Sequence, residues 1–170
     1  MKSWHSKEIY SQRAIEDQGF SVHNANIVFR ANCPNIDLII FAKAAASYVQ
    51  VKSSLNPAGA DTVIIDGSPW TVDQLRNGAP IFNKHDGFKA SLIFLLDTQK
   101  TGETVYYIVP PEELEQLWRP LAQAYADRPK RDGGVRKPFR KELPRQSLLP
   151  WRDAWHLLGE RPFVSSESPL

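Results

Sequence analysis

Cysteine is nearly absent from this sequence, which has one, Cys33, among 170 residues. A single cysteine cannot form a disulfide within the chain, and it supplies too few thiolates for a structural zinc site. Long apolar runs are also missing: no stretch approaches the length of a membrane span, and the first residues contain no hydrophobic signal segment. We therefore expect a soluble, cytoplasmic protein with one domain, or one domain with an appended arm, which is large enough to bury an ordinary core.

A strong net charge is missing too, since the formal value for the whole chain is +2, but the basic residues are unevenly distributed. Positions 128–145 contain eight of the 21 basic and two of the 19 acidic residues, so this segment has a formal charge of +6 and the remainder −4. Such a segment indicates either a polyanionic partner, whose counterions it displaces, or a solubilising linker. The candidates for phosphate contacts are Arg136, Lys137, Arg140 and Lys141.

Two strand-like segments, Pro34–Phe41 and Tyr48–Ser53, carry the most informative polar residues. In the first, Asp37 precedes a run typical of a strand buried on both faces, where an aspartate is unfavourable unless something binds it. In the second, side chains alternate between the faces, so Gln50 and Lys52 point the same way. The two segments thus place one acid, one amide and one lysine where a metal-dependent phosphodiesterase would have its functional groups.

A hairpin centred between Ala44 and Ala45 would pair residues whose numbers sum to 89. Asp37 would then lie opposite Lys52 and diagonal to Gln50, at separations of about 5 Å and about 7 to 8 Å. At those separations one cation and one phosphate touch all three side chains. A slip of one residue would turn Asp37 to the other face.

The rest of the sequence predicts helices at both ends of a mixed sheet. The further predicted elements are a helix Ser6–Gln18 ended by Gly19, strand pieces Phe20–Val22 and Asn26–Phe29, a strand Thr62–Ile65, a loop at Gly67–Pro69, a helix Val72–Arg76 capped by Thr71, strands Ser91–Leu96 and Thr104–Val109, a helix opened by Pro110-Pro111, and an amphipathic helix Trp151–Leu158. This order predicts an α/β domain at 1–127, a basic proline-containing arm at 128–148, and a C-terminal helix and tail at 149–170.

The first third of this arrangement resembles the PD-(D/E)XK nuclease superfamily. The residues that carry the resemblance are Glu8 in the first helix, Gly19-Phe20 at its end, Pro34 and Asp37 at the second strand, and Gln50-Val51-Lys52 in the third. The implied fold is restriction-endonuclease-like: a three-layer α/β/α arrangement with a central mixed β-sheet flanked by helices, here with a basic C-terminal arm and a short terminal helix. Glutamine replaces the usual acid at position 50, as in branches similar to the methylated-DNA restriction nucleases.

The resemblance implies a metal-dependent enzyme that cuts or processes DNA. By this likeness Asp37, Gln50, the backbone carbonyl of Val51 and Glu8 would hold Mg²⁺ or Mn²⁺, while Lys52 would stabilise the attacking water or the phosphate charge. DNA is the expected partner, with a second copy of the chain or another protein beside it. The alternative is a nuclease fold that no longer cuts and serves as a nucleic-acid-binding or interaction module in a defence or mobile-element system.

Overall fold

A computed structural model describes residues 4–55, 61–99, 101–130, 132–134 and 138–162 of the chain. Its helices and strands are α1 (Trp4–Glu16), β1 (Ser21–Asn24), α2 (Ala25–Phe29), β2 (Leu38–Phe41), β3 (Ala46–Ser53), β4 (Thr62–Trp70), α3 (Val72–Arg76), β5 (Leu92–Thr98), β6 (Thr104–Val109), α4 (Pro111–Asp127) and β7 (Phe139–Pro144). Two 3₁₀ helices, Arg145–Trp151 and Trp155–Leu158, follow β7. Among the described ranges, no helix has the length and apolar character needed to cross a membrane.

Five strands form one mixed sheet in the order β1-β2-β3-β5-β6. The first three pair antiparallel, β5 pairs parallel to β3, and β6 returns antiparallel to β5. A parallel step requires a crossover connection, and here the crossover contains β4 and α3. β4 pairs antiparallel with β7 outside the main sheet. This crossover positions β4 next to the polar end of β3.

Each face of the five-stranded sheet is covered by its own hydrophobic cluster, because alternate residues of a strand point to opposite faces. In β5, Phe94 packs in one cluster with Ile15 of α1. Its neighbour Leu95 belongs to the other cluster, with Trp118 of α4 and Leu143 of β7. The predicted α/β class, with a central mixed sheet flanked by helices, is therefore confirmed.

The prediction of a strand at Asn26–Phe29 is wrong, since this segment lies in the short helix α2. The side chain of Asn24 accepts hydrogen bonds from the backbone N–H groups of Asn26 and Ile27, which caps the helix. Ile27 is 77% exposed, whereas Phe29 at the end of the helix packs against a small cluster of Ala25, Ile36 and Ile39. A local cap thus outweighs the strand preference of an apolar segment that is only partly buried.

The C-terminal segment is not the continuous amphipathic helix that the spacing of its tryptophans predicts. Two 3₁₀ helices replace it, and between them Asp153 has a left-handed φ of 49°. Docking of this segment on the body is nevertheless confirmed: the ring of Trp155 lies 5.8 Å from that of Phe94 and 5.7 Å from that of Tyr106.

Part of the basic segment belongs to the fold. β7 pairs with β4, which extends to Trp70 through the predicted loop at Gly67–Pro69 with an irregularity in its register. Directly after β7, Arg145 donates hydrogen bonds of 2.7 and 3.1 Å to Asp97 of β5, whose side chain is fully buried. The basic residues at the start of β7 are thereby held against the body.

Candidate functional site

The register of β2 and β3 differs from the predicted hairpin. Leu38 pairs with Val49, so partner numbers sum to 87 rather than 89. A shift of two leaves every side chain on its predicted face, because side chains alternate with a period of two. Just before β2, the backbone N–H of Asp37 donates to the carbonyl of Val49 at 2.9 Å. Asp37 therefore lies beside the middle of β3 rather than directly opposite Lys52.

The carboxylate of Asp37 is fixed against β3. Its Oδ2 accepts a 2.6 Å hydrogen bond from the backbone N–H of Val51, the residue between Gln50 and Lys52. Burial raises the pKa of Asp37 above its ordinary value, and the Val51 bond and the charges of Lys52 and Lys7 oppose that rise. Three side chains predicted from sequence to converge are thus grouped around one stretch of β3.

Gln50 and Lys52 open into a cleft of about 210 Å³ at this edge of the structure. The cleft lies between the end of β3, the β4–β7 pair and the connection from α3 to β5. Its lining residues are Pro34, Asn35, Gln50, Lys52, Asp66, Gly67, Ser68, Ile81, Phe82, Asn83, Lys84, His85 and Lys141. The site is therefore a concave cleft, as ligand sites are, and its lining is mostly polar.

Asp66 is a residue of the cleft that the sequence reading missed. Its Oδ2 forms an ion pair with Lys7 of α1 and accepts a 3.2 Å hydrogen bond from Ser53. Its Oδ1 is buried and has no hydrogen-bond partner among the described residues. The charge of Asp66 also raises the pKa of Asp37. The signal was available, since Asp66 directly follows the apolar strand run Thr62–Ile65, much as Asp37 directly precedes one.

Lysines dominate the charge of the cleft. Lys141, on β7, is only 4% exposed, and desolvation together with the charges of Lys84 and Lys52 lowers its pKa to about 8. Burial and the charge of Lys52 also lower the pKa of Lys84. Three ammonium groups close enough to affect one another form a strongly electropositive site in which an anion is stabilised.

Four other predicted residues that the structure describes are not among the residues that line this cleft: Asp37, Glu8, Val51 and Arg140. Glu8 follows Lys7 on α1, and its Oε2 accepts a 3.4 Å hydrogen bond from Asn24. Val51 contacts Asp37 through its N–H, whereas its carbonyl was the group expected to bind metal. Arg140 is exposed on β7 and lines a separate groove between α4 and β7. Arg136 and Lys137 lie outside the described residues.

The oxygen atoms of the site suit a hard divalent cation. Mg²⁺ is usually held by one or two carboxylates and keeps several waters. Asp37, Asp66 and the amide oxygen of Gln50 offer two carboxylates and one neutral oxygen, and the buried Oδ1 of Asp66 has no hydrogen-bond partner among the described residues. In the described part of the chain, no three His, Cys, Asp or Glu residues are grouped as a metal site. The donors present are nonetheless of the kind that Mg²⁺ and Mn²⁺ accept, with Gln50 in place of a third carboxylate.

Comparison with known proteins gives one structural likeness. No protein-family model and no curated protein matches the sequence. The chain is similar to the solved structure of a bacterial homing endonuclease, with a TM-score of 0.47 and 19% sequence identity, over 92% of this chain and 91% of that chain. The chemistry of the site has to be inferred from its own residues.

Proposed function

We propose that this protein is a divalent-metal-dependent endonuclease that hydrolyses phosphodiester bonds of DNA. The observation that carries the proposal is the grouping of an acid, an amide and a lysine around one stretch of β3. Gln50 and Lys52 of β3 line the cleft, and Asp37, just before β2, is bonded to Val51 between them. Asp37 and Gln50, with Asp66, are the candidate ligands of Mg²⁺ or Mn²⁺. Glu8 is retained as an auxiliary acid.

Each side chain has a distinct task in this reaction. A bound divalent cation would neutralise charge on the phosphate and lower the pKa of water. Lys52 places an ammonium group in the cleft, where it stabilises the negative charge that develops on the phosphate oxygens. Asp37 is already oriented by the Val51 N–H, so little reorganisation accompanies the reaction.

The basic character of the cleft and of the segment 128–145 supports a nucleic-acid substrate. Positive clefts raise the local concentration of polyanions and their rate of association. Contacts with phosphates fix the position of a nucleic acid without reading its sequence. This reasoning supports DNA as a substrate class and leaves the recognised sequence to other residues.

A second candidate function is a nucleic-acid-binding module of nuclease fold that does not cut. The observation that favours it is Gln50, which supplies no charge where the resembling enzymes usually have an acid. With a neutral ligand the site binds a cation more weakly, while the lysines still attract a phosphate. Under this function DNA binds tightly and stays intact in Mg²⁺ and in Mn²⁺.

Incubation with supercoiled plasmid distinguishes the two functions. The first predicts nicked or linear product in Mg²⁺ or Mn²⁺, none in EDTA, and a rate about 100- to 1,000-fold lower for Lys52→Ala. Lys43→Ala is the matched control, because Lys43 lies at the exposed turn between β2 and β3. Salt-sensitive plasmid binding without product in either metal would support the second function instead.

A further inference from the structure

Two lysines that take no part in the proposed metal site, Lys84 and Lys141, face the same cleft as Lys52. Lys52 belongs to β3, Lys141 to β7, and Lys84 to the segment between α3 and β5. Three separate parts of the chain thus direct ammonium groups to one place. Such convergence is a property of the fold, because the three positions are far apart in the sequence.

Lys141 is buried, and the one opposite charge among the described residues that acts on its pKa, that of Asp66, does so without an ion pair. The one hydrogen bond of its Nζ to a described residue is a long one, 3.5 Å, to the carbonyl of Ser68. Within the described part of the chain it forms no ion pair. An ammonium group has three donors, and burying it is unfavourable unless an opposite charge accompanies it. An anion that enters the cleft supplies this charge.

The two lysines are held in position by their surroundings. A Cβ atom on Gly67 would come within 3.1 Å of the Nζ of Lys141, so this ammonium lies against the backbone of β4. The Nζ of Lys84 lies 4.9 Å from the ring centroid of Trp70, a cation–π distance, and Trp70 itself is buried. Packing therefore positions Lys141, and the cation–π contact positions the exposed Lys84, before a ligand binds.

The balance of charge in the cleft favours an anionic ligand. Against the three lysines stand one lining carboxylate, that of Asp66, which is already paired with Lys7, and the neighbouring carboxyl of Asp37, which is bonded to Val51 and whose pKa is raised by burial. The lowered pKa of Lys141, caused in part by Lys52 and Lys84, agrees with their proximity. The cleft volume of about 210 Å³ is many times what one water molecule needs. A phosphate group has both the charge and the acceptor oxygens to bridge the lysines.

We propose that Lys84 and Lys141 bind a phosphodiester group of a nucleic-acid strand in the cleft beside Lys52, and that they do so without a metal ion. The identity of the anion rests on the proposed function, whereas the presence of an anion site rests on the three lysines themselves. The two lysines hold the nucleic-acid strand against the end of β3 that carries Gln50 and Lys52.

DNA binding in EDTA tests this site separately from catalysis. Fluorescence anisotropy of a short labelled duplex, measured with the full chain at several KCl concentrations, gives the slope of log K against log [KCl]. Lys84→Met and Lys141→Met should each weaken binding and reduce the magnitude of this slope by about one, and the double variant by about two. Lys43→Met, at the exposed turn, should leave the slope unchanged.

Slopes and affinities equal to those of the unaltered chain in both single variants, with unaltered circular dichroism, would overturn the proposal. Lys84 is exposed, so Lys84→Met provides the test even where Lys141→Met affects folding. Reduced slopes in a protein that cuts no plasmid would uphold the phosphate site and reject the endonuclease. Cleavage of plasmid in Mn²⁺ with unaltered slopes in both variants would uphold the endonuclease and reject the phosphate site.

Discussion

The backbone N–H of Val51 donates a 2.6 Å hydrogen bond to the carboxylate of Asp37, and this contact joins the start of β2 to the strand that carries Gln50 and Lys52. The bond fixes an otherwise unfavourably buried acid in one orientation. The backbone of β3 at Val51 thereby positions both the candidate metal ligand Asp37 and the candidate phosphate-binding residue Lys52.

Asp37→Asn should abolish cleavage without reducing stability at neutral pH. Because burial raises the folded-state pKa of Asp37 above its ordinary value of 3.8, the folded chain holds a proton that the unfolded chain has already lost. Stability due to this group therefore falls as pH rises from the unfolded pKa through the folded pKa. Urea unfolding should show that the free energy of unfolding of Asp37→Asn, relative to that of the unaltered chain, increases from pH 4 to pH 7. A variant that becomes relatively less stable at pH 7 would contradict this prediction.

Gln50→Glu should bind Mn²⁺ more tightly, because a charged ligand replaces a neutral one. We expect affinity to rise about tenfold or more in titration calorimetry without DNA. Gln116→Glu, on the exposed surface of α4, adds the same charge away from the site and should have no such effect. Equal affinities for both variants would remove Gln50 from the set of metal ligands.

Asp66→Asn should weaken Mn²⁺ binding by about 10- to 100-fold, since the unpartnered Oδ1 of Asp66 is then no longer part of a carboxylate. Asp61→Asn is the matched control, because Asp61 is exposed just before β4. Calorimetry in the absence of DNA separates metal binding from catalysis. If Asp66→Asn retains the affinity of the control, Asp66 serves the ion pair with Lys7 alone.

Lys141→Met should stabilise the protein at pH 7 and lower its affinity for DNA. The folded-state pKa of about 8 lies below the ordinary value of 10.5, so between these values the unfolded chain holds a proton that the folded chain lacks. Stability of the unaltered chain due to Lys141 therefore rises with pH across this window. At pH 7 the free energy of unfolding of the variant should exceed that of the unaltered chain by on the order of 3 kcal/mol, and this difference should vanish above pH 10.5. Chemical denaturation at pH 7 and pH 9 measures it; a variant less stable at pH 7 would refute the account.

Arg145→Met should destabilise the fold by about 3–5 kcal/mol, because it leaves the fully buried carboxylate of Asp97 without its cation. Among the side chains that the structure describes, Gln99 would then be the one that still donates to that carboxylate, at 2.7 Å. Arg152→Met, whose pair with Glu103 is exposed, should cost about 0–1 kcal/mol. A small effect of Arg145→Met in thermal unfolding would mean that the segment after β7 contributes little to the fold.

The ion pair between Arg145 and Asp97 also makes the end of the basic segment 128–145 part of the folded body. Removing positions 128–145 as a block would delete β7 and Arg145 together, and with them the partner of β4. Loss of DNA binding would then report unfolding. A single substitution within the segment, such as Lys141→Met, avoids that difficulty.

Local pattern predicted most of the main sheet and its flanking helices. The apolar run of β2 and the alternation of β3 are visible in the sequence, as is the capping residue Thr71 of α3, which forms a capping box with Gln74. These features depend on neighbours in the chain, so periodicity and capping rules detect them. The faces of Gln50 and Lys52 were therefore predictable even though the register was not.

Long-range pairing explains what the sequence did not predict. β7 is a short strand whose partner, β4, lies about seventy residues earlier, and its basic residues obscure the alternation of buried Lys141 and Leu143. Asp66 and Lys84 enter the cleft only through the crossover between β3 and β5. No spacing rule connects such positions, because the tertiary fold alone brings them together.

Anomalous diffraction from a crystal soaked in Mn²⁺ tests the central claim most directly. The account predicts one manganese peak in the cleft, bound by oxygens of Asp37 and Gln50, and no such peak in crystals of Asp37→Asn. A peak bound elsewhere, or a cleft that stays without manganese while Asp37 and Gln50 keep their present positions, would contradict it.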